Sequence, residues 1–176
     1  MFRILRVAVT GPESTGKSEL AKALARHFNT VWVPEYSREY LEDIKRPYTF
    51  IDILSITRGQ YEKEQKMLGE ASRMIFCDTE FIVSKIWCDE KFGKCHPWIQ
   101  EMIIKAPYDL YLLCDTDLQW EADPLRENPH DRDRLLDLYK HELDSRNLPY
   151  ALISGKGTAR VEMAIEAIYL HLKINT

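Results

Sequence analysis

The chain has 176 residues, 45% hydrophobic and 30% charged, enough for one domain that buries a full sheet between helices but too few for a second enzyme of similar size. Its 24 basic and 28 acidic residues are mixed along the sequence and give a net charge of −4, which leaves no basic face for nucleic acid and disfavours a polynucleotide substrate. No signal peptide precedes the first apolar run, and none of these runs approaches the ~20 residues needed to cross a bilayer, so the expectation is a cytoplasmic protein with no membrane partner.

The first predicted strand spans residues 3–10 and runs into Gly11-Pro12-Glu13-Ser14-Thr15-Gly16-Lys17-Ser18, a complete G-x-x-x-x-G-K-[ST] phosphate loop. Such glycines let backbone N–H groups wrap a polyphosphate. Lys17 can then reach the β and γ phosphates, and the Ser18 hydroxyl can join a Mg²⁺ shell. Glu19 to Phe28 follows with apolar residues at helical spacing, so strand, loop and helix come in the order the motif requires. Gly11, Glu13, Ser14, Thr15, Gly16, Lys17 and Ser18 are therefore expected to bind ATP.

A second strand at 30–34 leads into Pro34-Glu35-Tyr36-Ser37-Arg38-Glu39. Open α/β sheets bind ligands at the carboxyl ends of their strands, so Glu35 is the candidate base that accepts a proton from an acceptor hydroxyl. Arg38 supplies a cation for charge on the transferred phosphoryl group. The competing reading is a first-turn helix acid with a surface ion pair. Residues 51–72 have helical spacing, and the charges of Tyr61-Glu62-Lys63-Glu64-Gln65-Lys66 read mostly as a solvated face. Gln60 and Gln65 on that helix could read an amide or a base edge.

The third strand, 74–78, ends on Asp78, where phosphate-loop enzymes place a carboxylate that supports Mg²⁺; the alternative is a cap for a helix starting near Glu80. Residues 79–105 are predicted as two helices separated near Gly93, the second opened by Pro97. After a fourth strand at 109–115, Leu118 to His130 holds three acids, two prolines and no period, which predicts a loop. With the start of the helix at 131–146, it forms a lid over about residues 117–134. Arg126, Arg132 and Arg134 in that segment could close over a triphosphate. The last strand, 149–154, leads to Ser154-Gly155-Lys156-Gly157-Thr158-Ala159-Arg160, which suits backbone approach to a purine or simply a turn into a helix. Arg160 joins Arg132 as an expected nucleotide contact.

Trp87, Trp98, Trp120, Tyr36 and Tyr40 could supply a stacking pocket or simply core. Tyr36, Trp87 and Trp120, with Glu35 and Gln60, are the expected substrate contacts. Cys77 and Cys114 lie in strands. Cys88, Cys95 and His96 lack the second ligand cluster that a structural zinc needs, so reduced thiols are expected. No motif speaks to oligomeric state. The alternation of strands and helices predicts one α/β domain over 1–176, with a three-layer phosphate-loop NTPase fold, a five-stranded parallel sheet and a lid.

Taken together, GPESTGKS, PEYSRE, FCDTEF, FGKCHPW and LQWEADPLR resemble, in order and spacing, the ribosylnicotinamide kinase domain of the NadR family. That domain is an AAA-type, nucleoside-kinase-like unit, and the resemblance spans nearly the whole chain. It implies that Lys17 and Ser18 bind ATP and Mg²⁺, that Asp78 supports the metal, that Glu35 stands near the acceptor hydroxyl and that Arg126 belongs to the lid. Ser37 and Glu80 depart from the family's glycine and aspartate, without removing a carboxylate or a phosphate-loop group. The family is often fused to an adenylyltransferase, but no H-x-G-H motif occurs here, so the chain is expected not to make NAD by itself. The reading is ATP-dependent phosphorylation of a ribonucleoside 5′-hydroxyl, with nicotinamide riboside as the acceptor implied by the resemblance. Two alternatives stay open: another nucleoside, nucleotide or small alcohol as acceptor, and an ATP-binding regulatory module with no small-molecule acceptor.

Overall fold

The computed structural model describes residues 3–174, and its elements follow the predicted alternation closely. They are β1 (Leu5–Thr10), α1 (Lys17–His27), β2 (Trp32–Val33), α2 (Tyr36–Ile44), α3 (Phe50–Met67), a 3-10 turn at Leu68–Glu70, β3 (Met74–Asp78) and α4 (Phe81–Phe92). The chain continues through α5 (Pro97–Lys105), β4 (Leu110–Cys114), α6 (Arg132–Ser145), β5 (Tyr150–Ile153) and α7 (Gly157–Leu172). The strands form one parallel sheet in the order β2-β3-β1-β4-β5.

β3 and β4 are buried at every position, as expected for apolar runs covered by helices on both faces. Alternation along β1 divides the core. Ala8 belongs to a cluster with Ile53, Ile82, Ile103 and Leu143 from α3, α4, α5 and α6, whereas Val7 and Val9 pack with Leu24 of α1 and Ile168 of α7. β2 is shorter than the predicted 30–34 because it is an edge strand paired only to β3. Thr30 bonds Met74 O through its hydroxyl instead of entering the ladder.

Local chemistry sets the helix limits. Thr49 and Asp52 form a reciprocal capping box that starts α3, and the chain tightens into the 3-10 turn before the predicted end at residue 72. Gly93, at φ 65°, ends α4, and Pro97 opens α5, as the sequence suggested. No helix among the described residues is long and apolar enough to cross a membrane.

The solvated-face reading of residues 61–66 fails at Glu64, which is fully buried. Arg6 Nε donates to its Oε1 at 2.5 Å and the Tyr108 hydroxyl to its Oε2 at 2.6 Å, fastening α3 to β1 and to the start of the β4 segment. Burial and the neighbouring Glu64 charge push the Tyr108 hydroxyl well above its usual range. Because Glu64→Ala removes the charged partner of Arg6 and the acceptor of both Arg6 Nε and the Tyr108 hydroxyl, urea unfolding should show a loss of about 3–5 kcal/mol. Tyr108→Phe should cost about 1–2 kcal/mol.

Candidate active site

All five strands point the same way, so their carboxyl ends share one edge, where the phosphate loop follows β1 between β3 and β4. Gly11 is required there: its φ is 128°, and a Cβ would lie 2.9 Å from Cys114 O. Gly16, at φ 73°, is the N-cap of α1 and has no side chain to cap the first turn, which leaves those amides open to an anion. Lys17 Nζ and Thr15 Oγ1 donate to Pro12 O at 2.7 and 2.8 Å, closing the loop on itself.

Ser18 Oγ donates to Asp78 Oδ2 at 2.5 Å, while Asp78 Oδ1 is buried with no partner. Burial, with repulsion from Glu35, lifts the Asp78 carboxyl from its ordinary 3.8 to about 6. A hydroxyl and a half-satisfied buried carboxylate beside a phosphate loop make a hard oxygen donor set that fits Mg²⁺. Glu80, and not Asp78, caps α4, accepting from Ile82 N at 2.6 Å and from Thr10 Oγ1 at 2.8 Å. Burial raises the Glu80 carboxyl to about 7.

Glu35 stands on the opposite wall as the N-cap of α2, with its carboxylate oriented by the Ser37 hydroxyl at 2.7 Å. Arg38 pairs with Asp123 at 3.0 Å across the cleft. The segment after β4 has no helix or strand before α6 and is tied to the phosphate loop by four residues. Glu127 N and Asn128 N both donate to Glu13 Oε2 at 3.0 Å. Glu121 N donates to Ser14 Oγ at 2.9 Å, and Arg126 Nη1 to the same oxygen at 3.3 Å.

Together these walls enclose a cleft of about 1310 Å³. Gly11, Glu13, Ser14, Thr15, Gly16, Lys17, Ser18, Glu35, Arg38, Trp87, Arg126 and Arg160, all candidate site residues, line it. Other candidates are placed differently. The ring of Tyr36 packs on Gly59, and Gln60 is buried among backbone partners, so neither faces the cleft. Arg132 donates to Ser14 O and Leu118 O and lies over the Trp120 ring, so both residues brace the loop from outside the cleft lining. Arg160 reaches the cleft, but its guanidinium binds Thr15 O, Asp115 O, Gly155 O and Asp117 and so supports the phosphate loop from beneath. Arg134 pairs with Glu90 and Asp131 at the surface.

The sequence reading missed Arg46, Tyr48, Lys91 and Glu127, which line the far end of the cleft with Trp87. Trp87 Nε1 donates to the Tyr48 hydroxyl at 3.0 Å, that hydroxyl donates to Glu127 at 2.9 Å, and Lys91 pairs with Glu127 at 2.8 Å. Trp87 apart, nothing in the sequence reading pointed to this wall; the signal available was the Arg46-Pro47-Tyr48 break between two helical stretches.

The model of the AAA domain family matches residues 6–160. The trifunctional NAD biosynthesis/regulator protein NadR of Escherichia coli (strain K12) is 30% identical over 160 residues, 86% of this chain and 38% of that protein. The Salmonella typhimurium protein of the same name is likewise 30% identical over 157 residues, so the chain spans well under half the length of these curated relatives. Among solved structures, a NadR protein in complex with NR superposes with a TM-score of 0.85 at 23% identity, covering 98% of this chain and 52% of that one. A deoxyadenosine kinase from M. mycoides superposes at 0.64 with 10% identity, covering 94% of this chain and all of that one.

A carboxyl whose pKa rises on folding holds its proton longer in the folded state, so it withdraws stability as pH climbs from about 4 through 6. In the presence of a chelator, Asp78→Asn should therefore melt roughly 3–6 °C above the wild type at pH 8 and close to it at pH 4, as read by calorimetry.

Proposed function

The chain belongs to the AAA domain family, and from that premise and its cleft we propose that it is an ATP-dependent kinase that phosphorylates the 5′-hydroxyl of nicotinamide riboside, giving nicotinamide mononucleotide and ADP. The observation that carries this reading is the pairing, within one cleft, of a phosphate loop with a free carboxylate on the facing wall. Transfer to an alcohol uses both, the first to hold the donor and the second to orient and deprotonate the acceptor hydroxyl. The choice of nicotinamide riboside rests on the NadR relatives and on the solved NadR protein in complex with NR.

In this mechanism Lys17 leaves Pro12 O to bind the β and γ phosphates, and the open amides of α1 receive the polyphosphate. Glu35 orients the acceptor hydroxyl and takes its proton. The hydroxyl oxygen bonds the γ-phosphorus in line as the bond to the β,γ-bridging oxygen breaks and ADP departs. Ser18 and Asp78 would hold Mg²⁺, which would supply charge neutralisation on the phosphate oxygens. The residue 117–134 segment acts as a lid, in which Arg126, with Arg38 from α2, offsets charge on the transferred group and excludes water. Four free cysteines, three of them buried, suit a reducing cytoplasm.

ADP release with Mg·ATP, measured against a panel of nucleosides, tests the proposal: nicotinamide riboside should stimulate it, and silence across the panel with ATP bound normally would refute it. Glu35→Gln should lower kcat by about 10²–10⁴ while ATP affinity stays within about twofold, by titration calorimetry.

A further inference from the structure

Gln60 is a buried polar residue in the middle of α3, seven residues before the helix ends, and both ends of its amide are engaged. Its Oε1 accepts from Tyr36 N at 2.7 Å, and its Nε2 donates to Asp78 O at 3.3 Å. The N–H and C=O partners fix the orientation of the amide, because a flipped side chain would face donor to donor and acceptor to acceptor. Tyr36 is the first residue of α2, so its N–H is one of the helix-start donors that have no partner within the helix. Glu35, the N-cap, makes no side-chain cap bond. Gln60 satisfies that donor from another helix and so fixes the backbone beside Glu35, whose carboxylate lines the cleft and accepts from the Ser37 hydroxyl.

The residue before Gln60 completes the socket. Gly59 faces the Tyr36 ring so closely that a Cβ would lie 2.2 Å from the ring's Cε1, so any other side chain would push the ring from its seat. Gly59 receives the ring and Gln60 the amide of one residue. The far end of Gln60 holds the backbone of Asp78, which pairs with Ser18. One side chain thus bridges the backbone next to Glu35 and the backbone of Asp78, at the carboxyl ends of the neighbouring strands β2 and β3.

The geometry points to Gln60, seated beside Gly59, as a positioning residue that sets the spacing between the proton-accepting Glu35 and the metal-supporting Asp78. The roles of Glu35 and Asp78 rest on the kinase reading above; the strut itself does not. A displacement of about 1 Å in a reacting group can cost on the order of 10² in rate, so losing the strut should appear in turnover and not in ATP binding.

The test uses Gln60→Ala and the near-isosteric Gln60→Glu, which keeps the acceptor for Tyr36 N and, when ionised, loses the donor to Asp78 O. Gln60→Ala should reduce kcat by at least about tenfold with ATP affinity unchanged within about twofold. Gln60→Glu should fall between it and the wild type. Adding Glu35→Gln to Gln60→Ala should cost far less than adding it to the wild type, because the base is already misplaced. Equal factors in both backgrounds would overturn the proposal, as would a rise in nucleoside KM at constant kcat, which would make Gln60 a direct contact. Hydrogen exchange decides the strut independently of activity. Amides of residues 35–38 should exchange at least about tenfold faster in Gln60→Ala while those of α1 stay at the wild-type rate, and unchanged exchange at 35–38 would refute it. A wild type that phosphorylates no nucleoside defeats the kinase reading alone and leaves that exchange comparison to judge the strut.

Discussion

The close approach of Gly11 to the backbone of Cys114 is the contact from which the rest of the cleft is built. It requires β1 and β4 to run side by side and parallel, with a residue that lacks a side chain at the point where β1 gives way to the phosphate loop. Once that is so, the loop turns under the open amides of α1. β3 on the other side of β1 delivers Asp78 to Ser18, and β2 beyond it delivers Glu35. A parallel sheet brings these groups to one edge because every strand ends there, which is why residues far apart in sequence share a single cleft.

Two electrostatic regimes coexist in the molecule. At the amino end of the sheet, Glu64 is buried with both carboxylate oxygens engaged, by Arg6 Nε and the Tyr108 hydroxyl, although Arg6 Nη2 has no partner among the described residues. At the carboxyl end, Asp78 is buried as deeply but keeps one oxygen without a partner. The first arrangement holds the fold. The second is the kind of deficit that a bound cation removes, and such deficits concentrate where chemistry is done.

Much of this was legible in the sequence because the signals are local. The phosphate loop is contiguous, the strands are short apolar runs, and Gly93 with Pro97 marks a helix break in the residues themselves. Asp78 and Glu35 could be found because the first ends a strand and the second stands just past one. What escaped was chemistry that depends on partners from elsewhere. Glu64 and Gln60 sit in a helix whose polar residues look alike in one dimension, yet one anchors β1 and the other holds α2. Tyr48 becomes part of the cleft only because Trp87 and Glu127 meet it there. The loop after β4 was recognisable from its lack of period, whereas its attachment to Glu13 and Ser14 through backbone amides leaves no trace in side-chain pattern.

Arg160 carries a further consequence for the order in which the protein is built. Its guanidinium holds the carbonyl of Thr15, a residue 145 positions earlier in the chain, and also that of Asp115. A nascent chain emerging from the ribosome therefore exposes the entire phosphate-loop motif long before the support beneath it exists. Arg160 can brace the Thr15 carbonyl only after α7 has been made and has docked, so this part of the loop's support is the work of a segment synthesised much later than the motif itself.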